Sequence, residues 1–230
     1  MNWNAILGIA CIVSLTAPLT VIIYHHYYKH RSLAALFVYY AITLLYIMMT
    51  QGFIPLNKSI RVNFGIFTNY LDVPLMFTAL LFFCPIKQKQ NIVRLLSYAF
   101  LTYEVLITMM FGFNQASVVY IMGPGLLIVL GYTFYLFVKQ VKFSIMHGKN
   151  NGRMLMLASI FFCYSCYALI YYFYYIQKTP YVKDAELIYF ISTTLSTMVM
   201  AAGLQLMNKR MKELQSLRIT RKELAMFFNK

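Results

Sequence analysis

The chain has 230 residues, of which 61% are hydrophobic and only 11% are charged. A soluble domain carries about 25% charged residues, so this composition excludes an ordinary water-soluble protein. The formal net charge of +14 has the size seen in nucleic-acid-binding proteins. The basic residues lie between apolar segments, however, as membrane topology requires, and they predict no nucleic-acid partner.

Apolar segments of about twenty residues recur along the chain, and this length crosses the roughly 30 Å hydrocarbon core of a bilayer. Seven spans are predicted, at residues 4–24, 32–51, 63–84, 91–112, 117–138, 154–176 and 185–207. We therefore predict an all-α polytopic membrane protein in which residues 1–207 form one seven-helix transmembrane bundle. Because Lys29 and Arg31 follow the first span and no basic residue precedes it, we expect this span to be retained rather than cleaved as a signal peptide.

The basic residues are divided unequally between the two sides of the predicted bundle. Sixteen Lys and Arg residues lie near the loops after spans 1, 3 and 5 and in the tail, and four lie on the other side. Cytoplasmic loops carry the excess of Lys and Arg. The sequence therefore predicts a multi-pass protein of the cell membrane, with its N-terminus outside and its C-terminus in the cytoplasm.

The tail, residues 208–230, is predicted to be a basic amphipathic cytoplasmic segment. Apolar residues from Leu214 to Phe228 are interspersed among its basic residues, and Thr220 precedes Glu223 with the spacing of a capping box. We expect a short helix that lies on the anionic lipids of the inner leaflet, held by its charge and by apolar insertion. The alternative is a docking peptide for a cytoplasmic partner.

Spans 2 and 3 align with spans 6 and 7 at a constant offset of 124 residues and without a gap. Leu33 then meets Leu157, and Leu71 meets Leu195. This register predicts two three-helix halves joined by span 4 and related by an axis along the membrane normal, as in transporters built from parallel repeats. Chance similarity between apolar segments is the alternative.

Two resemblances to known families follow from these features. The 3+1+3 plan, with Pro18 in span 1 and Pro124 in span 5, resembles SWEET and PQ-loop transporters, although neither proline is followed by Gln. The seven-span plan with Asn69-Tyr70-Leu71-Asp72 in span 3 resembles microbial rhodopsins, whose third helix carries Arg-Tyr-x-Asp. The first resemblance implies a transporter, and the second implies a rhodopsin-like fold of the sensory type.

In microbial rhodopsins the aspartate of this motif is the counter-ion of retinal, which is bound to a lysine of helix 7. Here span 7 contains no lysine, and Ser196 lies at about that position. Asn69 replaces the arginine of the motif, and Trp3 is the only tryptophan in the chain. We therefore predict neither retinal nor any other cofactor.

Asp72 and Glu104 are the two acidic residues predicted to lie inside the membrane. At 1.5 Å per residue they lie ~14 Å and ~12 Å below the outer ends of consecutive spans, so they can share one polar cavity. Carboxyl groups are expensive at this depth and usually functional. We expect them to bind a proton or a cation, the alternative being that each is hydrogen-bonded and only ties helices together.

Polar side chains on neighbouring spans can complete a site around Asp72. Thr68 and Asn69 share its helix face, and span 7 presents Thr193 and Ser196. Tyrosine stripes on spans 2 and 6 are more typical of packing and interface belts than of ligand contacts. Together these faces suit an organic cation or a proton-coupled polar solute.

Two functions are consistent with these residues. The first is a small-solute or proton-coupled transporter with a ligand- or proton-binding site at Asp72, Glu104, Asn69, Ser196, Thr68 and Thr193. The second is a seven-helix receptor that signals to a separate partner. The sequence shows no nucleophile–base pair, phosphate loop or nucleotide motif, so we predict no enzyme. We also predict no metal site. The sequence is consistent with a homo-oligomer.

Overall fold

Seven α-helices form nearly all of the regular structure in the described part of the chain. The computed structural model describes residues 3–84, 87–148, 150–177 and 182–228, with the side chains of all of these except 89, 147, 182–184 and 218–228. The helices are α1 (Trp3–Tyr24), α2 (Arg31–Thr50), α3 (Lys58–Leu80), α4 (Lys87–Phe111), α5 (Gln115–His147), α6 (Asn151–Tyr171) and α7 (Val182–Phe228). All seven are long and apolar enough to cross a membrane, and no strand occurs within the described ranges. The predicted all-α, seven-helix class is confirmed.

Several helices extend beyond the apolar spans that predicted them. The helix α3 begins at Lys58 rather than at residue 63, and α5 continues from residue 138 to His147. A 3₁₀ turn, Leu81–Phe83, follows α3, and a π-helical turn, Tyr172–Ile176, follows α6. Hydropathy marks the segment that fits hydrocarbon, whereas the helix continues for as long as its polar residues tolerate helical backbone.

The helices pack around the bundle in chain order. Each helix packs against the next one, α7 packs against α1, and α3 also packs against α5. Because consecutive helices run in opposite directions, α2 ends and α3 begins at the same end of the bundle, which we call the α2–α3 end. The opposite end, where α1 ends and α2 begins, is called the α1–α2 end.

The apolar core receives buried residues from all seven helices. Towards the α1–α2 end its buried members include Leu15, Met76, Leu80, Met156 and Leu204. The outward faces of α4 and α5 expose large apolar side chains such as Leu95, Met109 and Leu127. An apolar outer surface of this kind is expected of helices that contact lipid, because lipid chains are as apolar as the side chains.

Glycines allow the closest helix contacts. A Cβ atom on Gly152 of α6 would lie 2.6 Å from the backbone nitrogen of Met207 and 2.7 Å from the carbonyl oxygen of Gly203, both on α7. A Cβ on Gly125 of α5 would lie 2.6 Å from the Val73 side chain of α3. Small residues of this kind let transmembrane helices approach one another, and the Gly125 contact brings α5 against α3 beside Asp72.

The predicted tail is the C-terminal part of α7 rather than a separate helix. The backbone is helical without a break from Val182 to Phe228, so the predicted helix start at Thr220 is wrong. No glycine or proline occurs after Gly203 to end the helix. An Arg210–Glu213 ion pair of 3.0 Å spans one turn just beyond residue 207. The side chains of 218–230, and with them the expected contact with lipid, lie outside the described residues.

Replacing Gly152 with alanine tests the contact between α6 and α7. The new methyl group meets backbone atoms that cannot rotate away, so the helices must separate, and we expect Gly152→Ala to cost about 1–3 kcal/mol of stability. Gly131→Ala is the matched control, because nothing lies within 4 Å of a Cβ at Gly131 of α5 and alanine favours helix. Thermal unfolding in detergent measures both, and equal melting temperatures for the two variants would contradict the close contact.

Candidate functional site

A cavity of about 540 Å³ lies between five helices, α2, α3, α5, α6 and α7. Residues at the α2–α3 end of the bundle surround its mouth, among them Gln51, Arg61 and Glu186. Its inner lining includes Asp72, which is fourteen residues along α3 from Lys58. The cavity therefore extends from the α2–α3 end to the middle of the bundle.

The inner part of the cavity receives its polar groups from one face of α3. Thr68, Asn69 and Asp72 all line the cavity, as predicted from their i, i+3 and i, i+4 spacing. The Thr68 hydroxyl donates a hydrogen bond of 2.8 Å to the carbonyl oxygen of Gly65 in its own helix. Pro74 lies inside α3 and cannot donate to the carbonyl of Tyr70, one turn earlier, so the helix is weakened beside Asp72.

The Asp72 carboxyl is held by a tyrosine from α6. The Tyr164 hydroxyl donates a hydrogen bond of 3.0 Å to Oδ2 of Asp72, and the Tyr39 hydroxyl of α2 lies beside the same carboxyl. Asp72 is half-buried and Tyr164 is fully buried. Within the described residues no lysine or arginine forms an ion pair with Asp72. This carboxyl is therefore fixed by neutral donors and remains available to a proton or a cation.

Tyrosine side chains form much of the cavity wall. Seven tyrosines of the described ranges line it, from α2, from α6 and the π-helical turn, and from α7: Tyr39, Tyr46, Tyr167, Tyr171, Tyr174, Tyr175 and Tyr189. The rings of Tyr167 and Tyr189 are stacked, with centroids 5.5 Å apart. The Tyr171 hydroxyl donates a hydrogen bond of 2.8 Å to the carbonyl of Val119 in α5. The tyrosine stripes of spans 2 and 6 thus face the cavity.

A second, much smaller cavity of about 10 Å³ lies next to the first. Thr193 and Ser196 of α7 line it, together with Tyr39, Tyr164 and Tyr167. The Tyr167 and Thr193 hydroxyls lie 3.1 Å apart and share a hydrogen bond. A cavity of this size is at the lower limit for holding one water molecule. The structure therefore places the predicted α7 residues behind the tyrosine wall. Tyr39, Thr43 and Tyr167 line both cavities and separate these residues from the large one.

Glu104 lies apart from both cavities. It is 5% exposed, on α4, and its Oε1 has no hydrogen-bond partner among the described residues. The Thr108 hydroxyl, one turn later, bonds to the backbone oxygen of Glu104 and to the Tyr70 hydroxyl rather than to the carboxyl. The structure does not bring Glu104 and Asp72 into one cavity, because α4 packs on the outer side of α3 and α5.

Sequence reasoning missed the direct partner of Asp72 and the charged residues at the cavity mouth. Tyr164 belongs to a stripe that repeats every three or four residues on α6, and this periodicity could have placed it on the same face as the cavity residues. Arg61 and Glu186 lie at helix ends, where charged residues are ordinary. No pattern in the sequence distinguishes these two from other charges at the membrane interface.

A double-mutant cycle tests the bond between Tyr164 and Asp72. We expect Tyr164→Phe and Asp72→Asn each to change the free energy of unfolding. The coupling free energy between the two substitutions should be about 1–3 kcal/mol, because a hydrogen bond to a carboxylate is stronger than one between neutral groups. Tyr98→Phe, on the exposed face of α4, is the control partner and should show no coupling to Asp72→Asn. Unfolding in SDS measures the free energies, and strictly additive effects would contradict the hydrogen bond.

Comparisons with known proteins do not identify a family. None of the family profiles, curated proteins or solved structures compared with the chain matches it. The resemblances to microbial rhodopsins and to SWEET and PQ-loop transporters are therefore not confirmed. The described part of the chain is all-α, and its seven long apolar helices are of the kind that cross a membrane.

Proposed function

We propose that the protein is a small-solute or proton-coupled transporter of a cell membrane, with its binding site at Asp72. The observation that carries this proposal is the cavity that extends from the α2–α3 end to a carboxyl group in the middle of the bundle. Its volume of about 540 Å³ is within the range of small-molecule sites, roughly 300–1,000 Å³. An intramembrane acid that lines such a cavity is typical of ion and proton pathways.

The contacts between helices support the proposed internal repeat. If α1, α2 and α3 correspond to α5, α6 and α7, the pairs α1–α2 and α2–α3 correspond to α5–α6 and α6–α7, and all four pairs are in contact. The contact between α1 and α7 then corresponds to that between α5 and α3, which is also present. Asp72 and Ser196, equivalent at the 124-residue offset, both lie near the boundary between the halves, where transporters with repeats bind their substrates.

Transport requires the α1–α2 end to open as well. On that side of Asp72 the bundle is filled by buried apolar side chains such as Met76, Leu80 and Leu204. Three helices contain an internal proline: Pro18 in α1, Pro74 in α3 and Pro124 in α5. Proline weakens the helix at these positions, so bending there can separate the packed side chains without unfolding the helices.

A receptor that signals to a separate partner is the second candidate function. The observation that favours it is the length of α7, which continues as an unbroken helix from the cavity lining at Ala185 to Phe228. At 1.5 Å per residue this is a rigid rod of about 65 Å. A rod of this length can transmit a change at the cavity to a partner beyond the membrane.

The proposed orientation puts the cavity mouth on the outer side. The distribution of Lys and Arg supports it, because the α1–α2 end carries the larger number of basic residues. The C-terminal part of α7 is then cytoplasmic, and its basic residues are suited to anionic lipids of the inner leaflet. The proposal includes no catalytic activity, no cofactor and no nucleic-acid partner.

Uptake into liposomes tests the transporter proposal. The purified protein is reconstituted, and the accumulation of labelled amines, amino acids and sugars is measured with and without a proton gradient. We expect Asp72→Asn to reduce uptake about tenfold or more, since a hydrogen bond between a substrate and a charged carboxylate contributes about 1.5–3 kcal/mol. Glu213→Gln, which removes an acid from the exposed part of α7, is the control and should transport normally.

Two results would count against transport. If no gradient drives uptake of any solute, the transporter proposal fails, and ligand binding without flux would favour the receptor. If Asp72→Asn transports as well as the unaltered chain while folding normally, Asp72 is not part of the mechanism.

Cysteine labelling tests the proposed orientation. The native cysteines are buried or half-buried, so a new cysteine at an exposed position supplies the signal. We expect Ser59→Cys, at the α2–α3 end, to react with an impermeant maleimide in intact cells, and Gln215→Cys, on α7, to react only after permeabilisation. The reverse pattern would invert the orientation, and the unaltered chain gives the background.

A further inference from the structure

We propose that the cavity selects an organic ammonium ion with an apolar or aromatic body, bound by Asp72 and by the tyrosine rings. This inference rests on the proposed function, because it concerns the same site and names the chemical class of its ligand. Three features of the cavity carry it: its balance of charge, its aromatic wall and its apolar inner surface.

The described residues of the cavity lining carry more acid than base in a chain that is otherwise strongly basic. Among them, Asp72 and Glu186 are acidic and Arg61 is basic, whereas the whole chain has 20 Lys and Arg against 6 Asp and Glu. Arg61 is eleven residues before Asp72 on α3, or about 16 Å along the helix. That separation is far beyond ion-pair distance, and among the described residues Arg61 forms no ion pair with Asp72.

The aromatic wall offers a second attraction for a cation. The negative face of a tyrosine ring attracts ammonium groups by about 0.5–2 kcal/mol, depending on how far the contact is desolvated. Tyr39 lies beside the Asp72 carboxyl, and Tyr167 and Tyr189 are stacked in the same wall. Because the Tyr167 hydroxyl is bonded to Thr193 behind the wall, its ring is held in place before a ligand arrives.

The inner surface of the cavity also carries apolar side chains. Leu75 of α3 and Met122 and Leu126 of α5 line it near the level of Asp72. A cavity of about 540 Å³ is much larger than a hydrated proton or a simple metal ion. These residues fit a ligand that has a hydrocarbon or aromatic body attached to its charged group.

A metal cation fits this site less well than an ammonium ion. Ca²⁺ takes six to eight oxygen ligands, and several carboxylates usually supply them. Among the described residues, no group of three or more His, Cys, Asp or Glu side chains is close enough to hold a metal ion. One carboxylate within an aromatic wall is instead the arrangement that binds ammonium groups.

The experiment compares three probes that share a phenyl body and differ in charge. Phenethylamine is the cation, phenethyl alcohol is its uncharged counterpart, and 3-phenylpropionate is the anion. Titration calorimetry on the full chain in detergent measures the three affinities. We expect saturable binding of phenethylamine, about tenfold or more tighter than that of either other probe, which corresponds to about 1.4 kcal/mol.

Three variants assign the binding energy to the proposed groups. Asp72→Asn should weaken phenethylamine binding about tenfold or more and leave the weak binding of the alcohol unchanged. Tyr189→Phe keeps the ring and should bind nearly as the unaltered chain does, whereas Tyr189→Leu removes the ring and should bind several-fold more weakly. The Phe variant is the matched control for folding and for the volume of the side chain.

Each contrary result overturns the inference. It fails if phenethylamine shows no saturable binding, if either other probe binds as tightly, or if Asp72→Asn binds the amine unchanged. Failure here is distinct from failure of the transporter proposal. Amine binding without flux would contradict only the transporter proposal. Uptake of a sugar or an anion by a chain that does not bind the amine would contradict only the inference about the ligand.

Discussion

The cost of placing a carboxyl group among apolar helices explains why hydroxyl groups of two other helices lie at Asp72 of α3. A polar group in hydrocarbon must find partners within the protein, and Asp72 finds them in Tyr164 of α6 and Tyr39 of α2. These partners are hydroxyl donors and carry no positive charge. The carboxyl group is thus held in position without an ion pair among the described residues, which keeps it available for binding.

The two ends of the bundle differ in their packing. Towards the α2–α3 end the helices diverge around a cavity with a polar and aromatic lining, and towards the α1–α2 end they meet in a packed apolar core. Gly152 and Gly203 bring α6 and α7 into backbone contact at the packed end. A bundle that is closed at one end and open at the other suits a carrier in one of its two states, and it equally suits a receptor pocket. Passage of a solute through the packed end distinguishes the two functions.

Glu104 shows that depth in the membrane does not by itself define a site. It lies at a depth similar to that of Asp72 by residue count, yet α4 places it away from the cavity lining. The Thr108 hydroxyl bonds to the backbone oxygen of Glu104 and to the Tyr70 hydroxyl, and the Tyr70 hydroxyl donates to Ser117 Oγ, so neither bonds to the carboxyl of Glu104. Whether the two acids share a cavity depends on the angle between α3 and α4. The spacing of residues along each helix does not determine that angle.

The sequence by itself determined the number of helices, the all-α class and the face of α3 that carries Thr68, Asn69 and Asp72. These features follow from the length of apolar segments and from helical periodicity, which are local properties. Only the tertiary structure decided that the tyrosines of α2 and α6 face the cavity, that Tyr164 binds Asp72, and that Ser196 and Thr193 lie behind the tyrosine wall. It also decided that α7 continues to Phe228 as one helix. These features depend on how each helix is rotated and how closely it packs, and both are set by contacts between side chains far apart in the chain.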